Sequence, residues 1–277
     1  MRNETLTGYL LHQRPYQEKR ALYYLFSPQY GVVHGVGKKG APLFVGLHLF
    51  ATGKRDLKTF SQINIRQTDE VNIDDEDGII KRGNNSIEYS SSENNAIELV
   101  NNDTKSTNGL SYGQITGQNQ YAALYLNEIL WRLLPTEDPM PLLWQRYQET
   151  LDRLKQSLTP AELRICLRQF EKHLFLELGF ELTLSQDSTL SQIEPDLIYR
   201  FLPDVGLVPI QTSAEIVNMT AQAIFSGHEI LSMVEQGMSE TTLGLWSRLH
   251  RQLMDHLLDY QPLQSRLLWQ QQQRYQR

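Results

Sequence analysis

The chain has 277 residues, 40% of them apolar and 21% charged, which excludes a disordered tail or a collagen-like fibre and allows about two domains. One cysteine, Cys166, excludes an internal disulfide and a four-cysteine zinc centre, so nothing implies an oxidising compartment. The formal net charge of −6 argues against a nucleic-acid partner only until it is divided along the chain.

Residues 1–66 hold ten Lys/Arg against three acids, a net +7, and read as β structure. The polar start, MRNETLTGYL, stands where a signal peptide needs an apolar stretch. Short aromatic-rich apolar segments fall at 6–14 and 22–26, and a β-branched run at 32–36 follows the turn signal Ser27-Pro28-Gln29-Tyr30-Gly31. KTFSQINI at 58–65 alternates, with Phe60, Ile63 and Ile65 as inward positions. Four or five such strands predict a small barrel or sandwich. The longest apolar-leaning run, 41–52, contains a His and a Gly and is far below the roughly 18–20 residues of a membrane span. A cytoplasmic protein with no membrane partner is expected.

Gly35-Val36-Gly37-Lys38-Lys39-Gly40 is a literal GxGxxG after a strand. A dinucleotide site needs a helix directly after the glycines and an acid about 20 residues on, within a βαβ unit. Pro42 interrupts the next segment and no such unit surrounds it. The pattern is expected to be a glycine-rich β turn.

Residues 67–113 are crowded with Asn, Ser, Asp and Glu, and 67–108 carry three bases against ten acids, a net −7. Such a composition buries too little apolar surface to offset chain entropy, so it reads as an acidic linker or insertion, with a hairpin near 79–87. Its charge would allow it to fold back on the basic domain. The run Asp74-Asp75-Glu76-Asp77-Gly78 fails as a calcium loop, because placing Gly78 at the loop glycine puts Ile73 at the first ligand position.

From Ile115 the period becomes helical. Tyr121, Leu124, Tyr125, Ile129 and Leu133 share a face, and Pro135 stops that helix. A second helix is expected over 142–158. The third has an N-cap at Thr159, Pro160 at its first position, Glu162 completing a capping box, and Gly179 at its stop. Its expected buried stripe is Leu163, Leu167, Phe170, Leu174 and Leu178. Residues 182–216 look irregular, with a hairpin around 198–208. Helices follow near 214–225, 228–236 and 241–258, and a Gln-rich helical tail begins at Pro262. The fold class is therefore α+β, a basic β domain at 1–66, an acidic segment at 67–113 and a helical domain at 114–277.

No Walker A loop, HExxH, CxxC or GxSxG is present, and the seven histidines are scattered, so neither an enzyme nor a cofactor nor a metal is expected. Cys166, beside Leu163 and Phe170, reads as a small core residue. Two features carry chemistry. Small barrels bind single strands with a cationic groove for phosphates and aromatic faces for bases. The β domain offers Arg14, Lys19, Arg20, Lys38, Lys39, Lys54, Arg55 and Lys58, interleaved with Tyr9, Tyr16, Tyr23, Tyr24, Phe26 and Tyr30. On the third helix Arg164, Arg168 and Lys172 fall at i, i+4 and i+8, with Glu171 and Phe175 beside them, a face suited to an acidic peptide with an apolar end.

Further residues carry a family resemblance. Arg14-Pro15-Tyr16 with Glu18, Gly31, Gly35 to Gly40, Leu47 to Phe50 and Asp56-Leu57 are joined by Ala123-Leu124-Tyr125-Leu126-Asn127-Glu128 and Leu133-Leu134-Pro135 with Glu137-Asp138. Leu167-Arg168-Gln169-Phe170-Glu171, Leu178-Gly179-Phe180 and Pro262-Leu263-Gln264-Ser265-Arg266 follow. Over about residues 5–66 and 115–270 the chain resembles RecO, the bacterial recombination mediators. The resemblance implies an N-terminal OB-fold and a helical domain. It implies binding of single- and double-stranded DNA, strand annealing, and remodelling of single-strand binding protein (SSB) so that RecA can load, with RecR and RecF as partners and a nucleoid-associated place in the cell. It also implies that the helical domain binds the acidic, Phe-ended SSB tail; of the cationic face only Arg168 lies in a matching motif. Some members carry a four-cysteine zinc module after the third helix, whereas residues 182–213 here contain no Cys, so an irregular or hairpin insertion is expected in its place. Lys19-Arg20 stand where the family often has small hydroxyl residues, and the basic run after the glycines stops at Ala41-Pro42. The alternative is a protein–protein scaffold whose basic β domain binds acidic partners.

Overall fold

The computed structural model describes residues 3–66, 114–210 and 223–275. Five strands, β1 (Glu4–Gln17), β2 (Arg20–Ser27), β3 (Gly31–Lys38), β4 (Gly46–Thr52) and β5 (Leu57–Ile65), close into a barrel in the order β1-β2-β3-β5-β4. Only β3 and β5 pair in parallel, the arrangement of an OB-fold. Leu6, Leu10, Tyr23, Leu25, Val33, Leu47, Leu49 and Phe60 fill the barrel. Strand alternation therefore separates the neighbours Tyr23 and Tyr24, the first inside and the second on the outer face.

The same alternation corrects the expected glycine turn. Gly35 and Gly37 lie within β3 and point inward, where the Phe60 ring leaves no space for a Cβ at Gly35. A Cβ at Gly37 would meet Ile63 at 2.9 Å and Tyr23 at 3.1 Å. Of these glycines only Gly40, with φ +104°, lies past the end of β3. The β4 strand emerges from the apolar-leaning run at 41–52.

The helical part comprises α1 (Gly117–Leu133), α2 (Pro141–Leu154) and α3 (Pro160–Glu177), then α4 (Gly227–Gln236), α5 (Leu243–Leu257) and α6 (Gln264–Tyr275). In α3 both reciprocal bonds of the capping box between Thr159 and Glu162 form, and Gly179 follows with φ +84°. Helix α2 ends at Leu154, before the expected 158, because residues 155–158 are the connection to that cap. The buried face of α3 differs from the expected stripe: Cys166, Phe170, Glu171, Leu174 and Phe175 are buried, while Leu163, Leu167 and Leu178 are half-buried. The cause is packing of α3 against α2, α1 and α5 together, which covers a wider arc than one stripe.

Between α3 and α4 the chain forms a three-stranded sheet, β7-β6-β8, from β6 (Ile198–Leu202), β7 (Gly206–Pro209) and β8 (Ile224–Ser226). The β6–β7 pair is the hairpin expected at 198–208. Of the helix expected over 214–225, the end is instead strand β8, and 214–222 lie outside the described residues. The acidic segment 67–113, with its expected hairpin, lies outside them as well. Among the described residues no helix is long and apolar enough to cross a membrane. Nor do three His, Cys, Asp or Glu side chains gather there as a metal ion would require.

Leu11, Tyr24, Phe26 and Val32, on the outer face of the barrel, join the core formed by the helices. Polar ties fix the same seam. Asn127 of α1 donates to the Leu10 carbonyl at 3.2 Å and accepts from Tyr147 of α2 at 2.6 Å. The amide of Glu137 donates to the Val32 carbonyl at 3.0 Å.

Candidate functional site

Strand register gathers the barrel's cations. Arg20, opening β2, pairs across the strands with Lys38 at the end of β3. The Lys39 amide donates to the Lys19 carbonyl at 3.2 Å, and Lys39 Nζ donates to the Glu18 carbonyl at 2.9 Å. Lys19, Arg20, Lys38 and Lys39 are therefore exposed together at the β1–β2 end, with Tyr16, 54% exposed, beside them. Four cations on one edge create a local positive field inside a chain of negative net charge.

Lys54 and Arg55 are exposed in the β4–β5 turn, next to the residues that pair with the middle of β3. Arg14 lies between the two groups on the outer face of β1, its guanidinium 5.6 Å from the Tyr24 ring centre and 5.8 Å from that of Trp131. Lys58 does not belong to this surface. It is 5% exposed, donates to the Arg55 carbonyl at 2.7 Å, and forms an ion pair with Glu137 at 2.6 Å. Its charge closes the barrel against the α1–α2 connection and faces no solvent.

The interleaved aromatics divide likewise. Tyr23 fills the barrel and donates to the Lys38 carbonyl at 2.5 Å. Phe26 is fully buried, and Tyr9 packs on Trp144 and Tyr147. Tyr30 donates to Glu4 at 2.8 Å, which raises its phenol above the usual range. Tyr16 remains at the surface, whereas Tyr24 is buried where the barrel meets the helices. The sequence reading missed His12, His34 and Trp131, which surround Tyr24. The i, i+2 spacing of His12 and Arg14 on β1 was the signal for one of them.

The cationic face of α3 is divided by the helical twist. Arg164 and Arg168 border a cavity of about 280 Å3 between α1, α3 and α6, walled by Tyr121, Leu163, Leu167 and Trp269. Arg266, from the terminal motif, is the third cation there, 5.6 Å from the Tyr125 ring centre. Lys172 opens on the other flank of α3, beside Arg153 and His173. Phe175 is fully buried in the core and presents nothing to a ligand.

Beneath the cavity lies a buried polar cluster. Glu171, fully buried, accepts from Tyr125 and from Arg168 at 2.5 Å each on one oxygen, and its other oxygen lies 2.9 Å from His250 Nδ1. Burial raises the carboxyl of Glu171, but Arg168 and His250 outweigh it and hold the group below the usual carboxylate range. Burial pushes the Tyr125 phenol up and the His250 imidazole down. Burial likewise raises the Cys166 thiol, so it is an inert core group. The cluster sets Arg168 and Tyr125 at the cavity floor.

The motifs quoted above are junctions of this architecture. Glu128 accepts from the amides of Gln264 and Ser265 at 2.8 Å each and from the Ser265 hydroxyl at 2.6 Å, capping α6. Comparison with known proteins agrees with that reading. Residues 116–219 match the family model described as Recombination protein O C terminal. The chain is 32% identical over 268 residues to the DNA repair protein RecO of Pseudomonas paraeruginosa, covering 94% of this chain and 92% of that protein. It is 30% identical to the RecO proteins of Stutzerimonas stutzeri, over 95% of this chain and 92% of that one, and of Coxiella burnetii, over 94% and 95%. With a closed five-stranded barrel, a helical part joined to it, and likeness along nearly the whole length, the chain belongs to the RecO family.

Proposed function

We propose that this chain is a non-catalytic mediator of DNA repair and recombination. Its barrel binds single- and double-stranded DNA and anneals complementary strands. Its helical part binds the SSB tail and, with RecR, promotes RecA loading onto SSB-coated DNA. The observation that carries the reading is the exposed cation group Lys19, Arg20, Lys38 and Lys39 on the barrel of a chain in the RecO family. Phosphates neutralised there release counterions, so affinity should fall steeply with salt. Around the 280 Å3 cavity, Arg164, Arg168 and Arg266 match an acidic tail, and the Tyr121–Trp269 walls match its Phe end.

The test is annealing of complementary oligonucleotides coated with SSB. Acceleration by the chain, lost in a Lys38→Glu, Lys39→Glu double variant, supports the reading. Absence of any oligonucleotide binding at low salt, with acidic peptides bound by the barrel instead, overturns it in favour of a scaffold. For the tail, Arg164→Ala should weaken an SSB-tail peptide in calorimetry; Arg164 makes one 3.3 Å bond to Ser247 at the surface, so the fold should tolerate its loss.

A further inference from the structure

The strand register places three rings in one line across the barrel. His12 of β1 faces Tyr24 of β2, and Tyr24 faces His34 of β3. All three share the outer face. Their centres are 5.4 Å and 4.3 Å apart, edge to face. Trp131, near the C-terminal end of α1, lies over the first two of these rings, flat on His12 with 4.7 Å between centres and 17° between planes, and tilted to Tyr24 at 5.5 Å. His12, His34 and Trp131 are half-buried, so each leaves ring surface to solvent. The line runs from α1 to the β4–β5 turn, because His34 pairs next with Leu57, itself 46% exposed.

Cations flank this line on both sides. Arg14 lies one pair of residues nearer the cationic end, over Tyr24 and Trp131. Beyond it stand Arg20 and Lys38, and at the far end Lys54 and Arg55. Three carboxylates also act on these rings: Asp56 in the β4–β5 turn and Glu137 on His34, and Glu128 on His12; Glu137 is paired with Lys58 and Glu128 caps α6. Burial first, and then Arg14, lower both His12 and His34 below the usual imidazole range, so their rings are neutral at neutral pH. Neutral and uncharged π-faces between cationic margins match an unpaired strand, whose bases have π-faces and whose phosphates are anionic. A duplex hides its base faces, and an acidic peptide with one terminal ring offers no row of them.

We propose that Trp131, His12 and His34, held by the buried Tyr24 ring between them, form a stacking platform for the unpaired bases of single-stranded DNA, with Arg14 beside them and the phosphates running toward Lys54 and Arg55. The assignment rests on the DNA-binding reading above and adds to it a place, a strand type and a contribution from the helical part. The bland alternative is an aromatic seam that merely docks α1 on the barrel. The two differ in what they recognise, since a platform senses bases and a seam senses nothing in the ligand.

The experiment uses the full chain, an oligothymidylate, and an abasic oligonucleotide of equal length, with binding followed by fluorescence anisotropy across a salt series. Trp131→Leu and His34→Ala are the variants. His34 is half-buried and meets Tyr24 edge to face, so His34→Ala keeps the test valid should Trp131→Leu disturb the seam. Loss of one stacked base should weaken oligothymidylate binding by about 10-fold in each variant. Binding of the abasic strand and the salt slope should stay unchanged. Unchanged oligothymidylate binding, or equal weakening of both ligands, overturns the platform while leaving DNA binding intact. Failure of the unaltered chain to bind either strand at low salt instead overturns the DNA-binding reading itself.

Discussion

Replacing Glu171 with glutamine removes a charge from the most buried polar cluster in the helical part. The carboxylate is fully buried and holds Arg168, Tyr125 and His250. Removing one member of a buried ion pair costs about 3–5 kcal/mol, since the partner keeps its desolvation penalty. Arg168 is 13% exposed, and glutamine still accepts one bond from Tyr125, so the lower end applies, about 3 kcal/mol. For a chain of this size that corresponds to a fall in Tm of about 6–12 °C. Thermal scans and urea unfolding measure it, and an unchanged urea slope would show that only stability moved. The double variant Arg168→Met, Glu171→Leu removes both charges and should be more stable than Glu171→Gln alone. A loss below about 1 kcal/mol in Glu171→Gln, or a double variant worse than the single, would refute the buried-charge argument.

Lys58→Met should lower stability by about 1–2 kcal/mol, less than a fully buried pair because Glu137 is 44% exposed, and should leave the salt slope of oligonucleotide binding unchanged. Loss of slope in that variant would return Lys58 to the DNA surface; Lys39→Ala, by contrast, should reduce the slope by about one. Gly35→Ala should destabilise the barrel by about 1–3 kcal/mol through overpacking on Phe60, and adding Phe60→Leu should restore part of it. NAD and ATP should leave the Tm unchanged, and a rise with either would revive a nucleotide role for the glycines. His12, His34 and His250 are all held below 6.5, so between that value and their folded pKa the unfolded chain binds more protons. Stability should therefore fall as pH drops from about 7, with a further loss below about 4.5 as Glu171 gains a proton. Equal Tm at pH 7.5 and 5.5 would contradict this.

What the sequence made legible follows from range. Basic composition, strand-length apolar segments and the Thr159–Glu162 box are local signals, and each has its counterpart in the fold. Lys58 was misplaced because its partner, Glu137, is 79 residues away and belongs to a different element. Phe175 was misplaced because one helical period cannot tell how many neighbours cover a helix, and α3 has three. Consecutive aromatics such as Tyr23-Tyr24 defeat a compositional reading in the same way, since only the register decides which one fills the barrel. Trp131 gave no signal at all, since it stands outside the helical face of Tyr121, Leu124, Tyr125, Ile129 and Leu133 and only the fold brings it to His12.

The seam between barrel and helices explains why so many family motifs converge on α1. Asn127 binds the β1 backbone, Glu128 caps α6, Tyr125 meets Glu171, and Trp131 lies on His12. Each of these is a polar or aromatic tie whose geometry is directional, unlike apolar packing, which tolerates small slips. One helix thus has its position set from three sides: by the barrel, by α3 and by α6. The cavity bordered by Tyr121 and Tyr125 and the ring line beneath Trp131 occupy the two ends of that helix. A ligand on either surface therefore bears on the same rigid element, and the spacing between the proposed peptide and DNA surfaces is fixed by the length of α1 rather than by a linker.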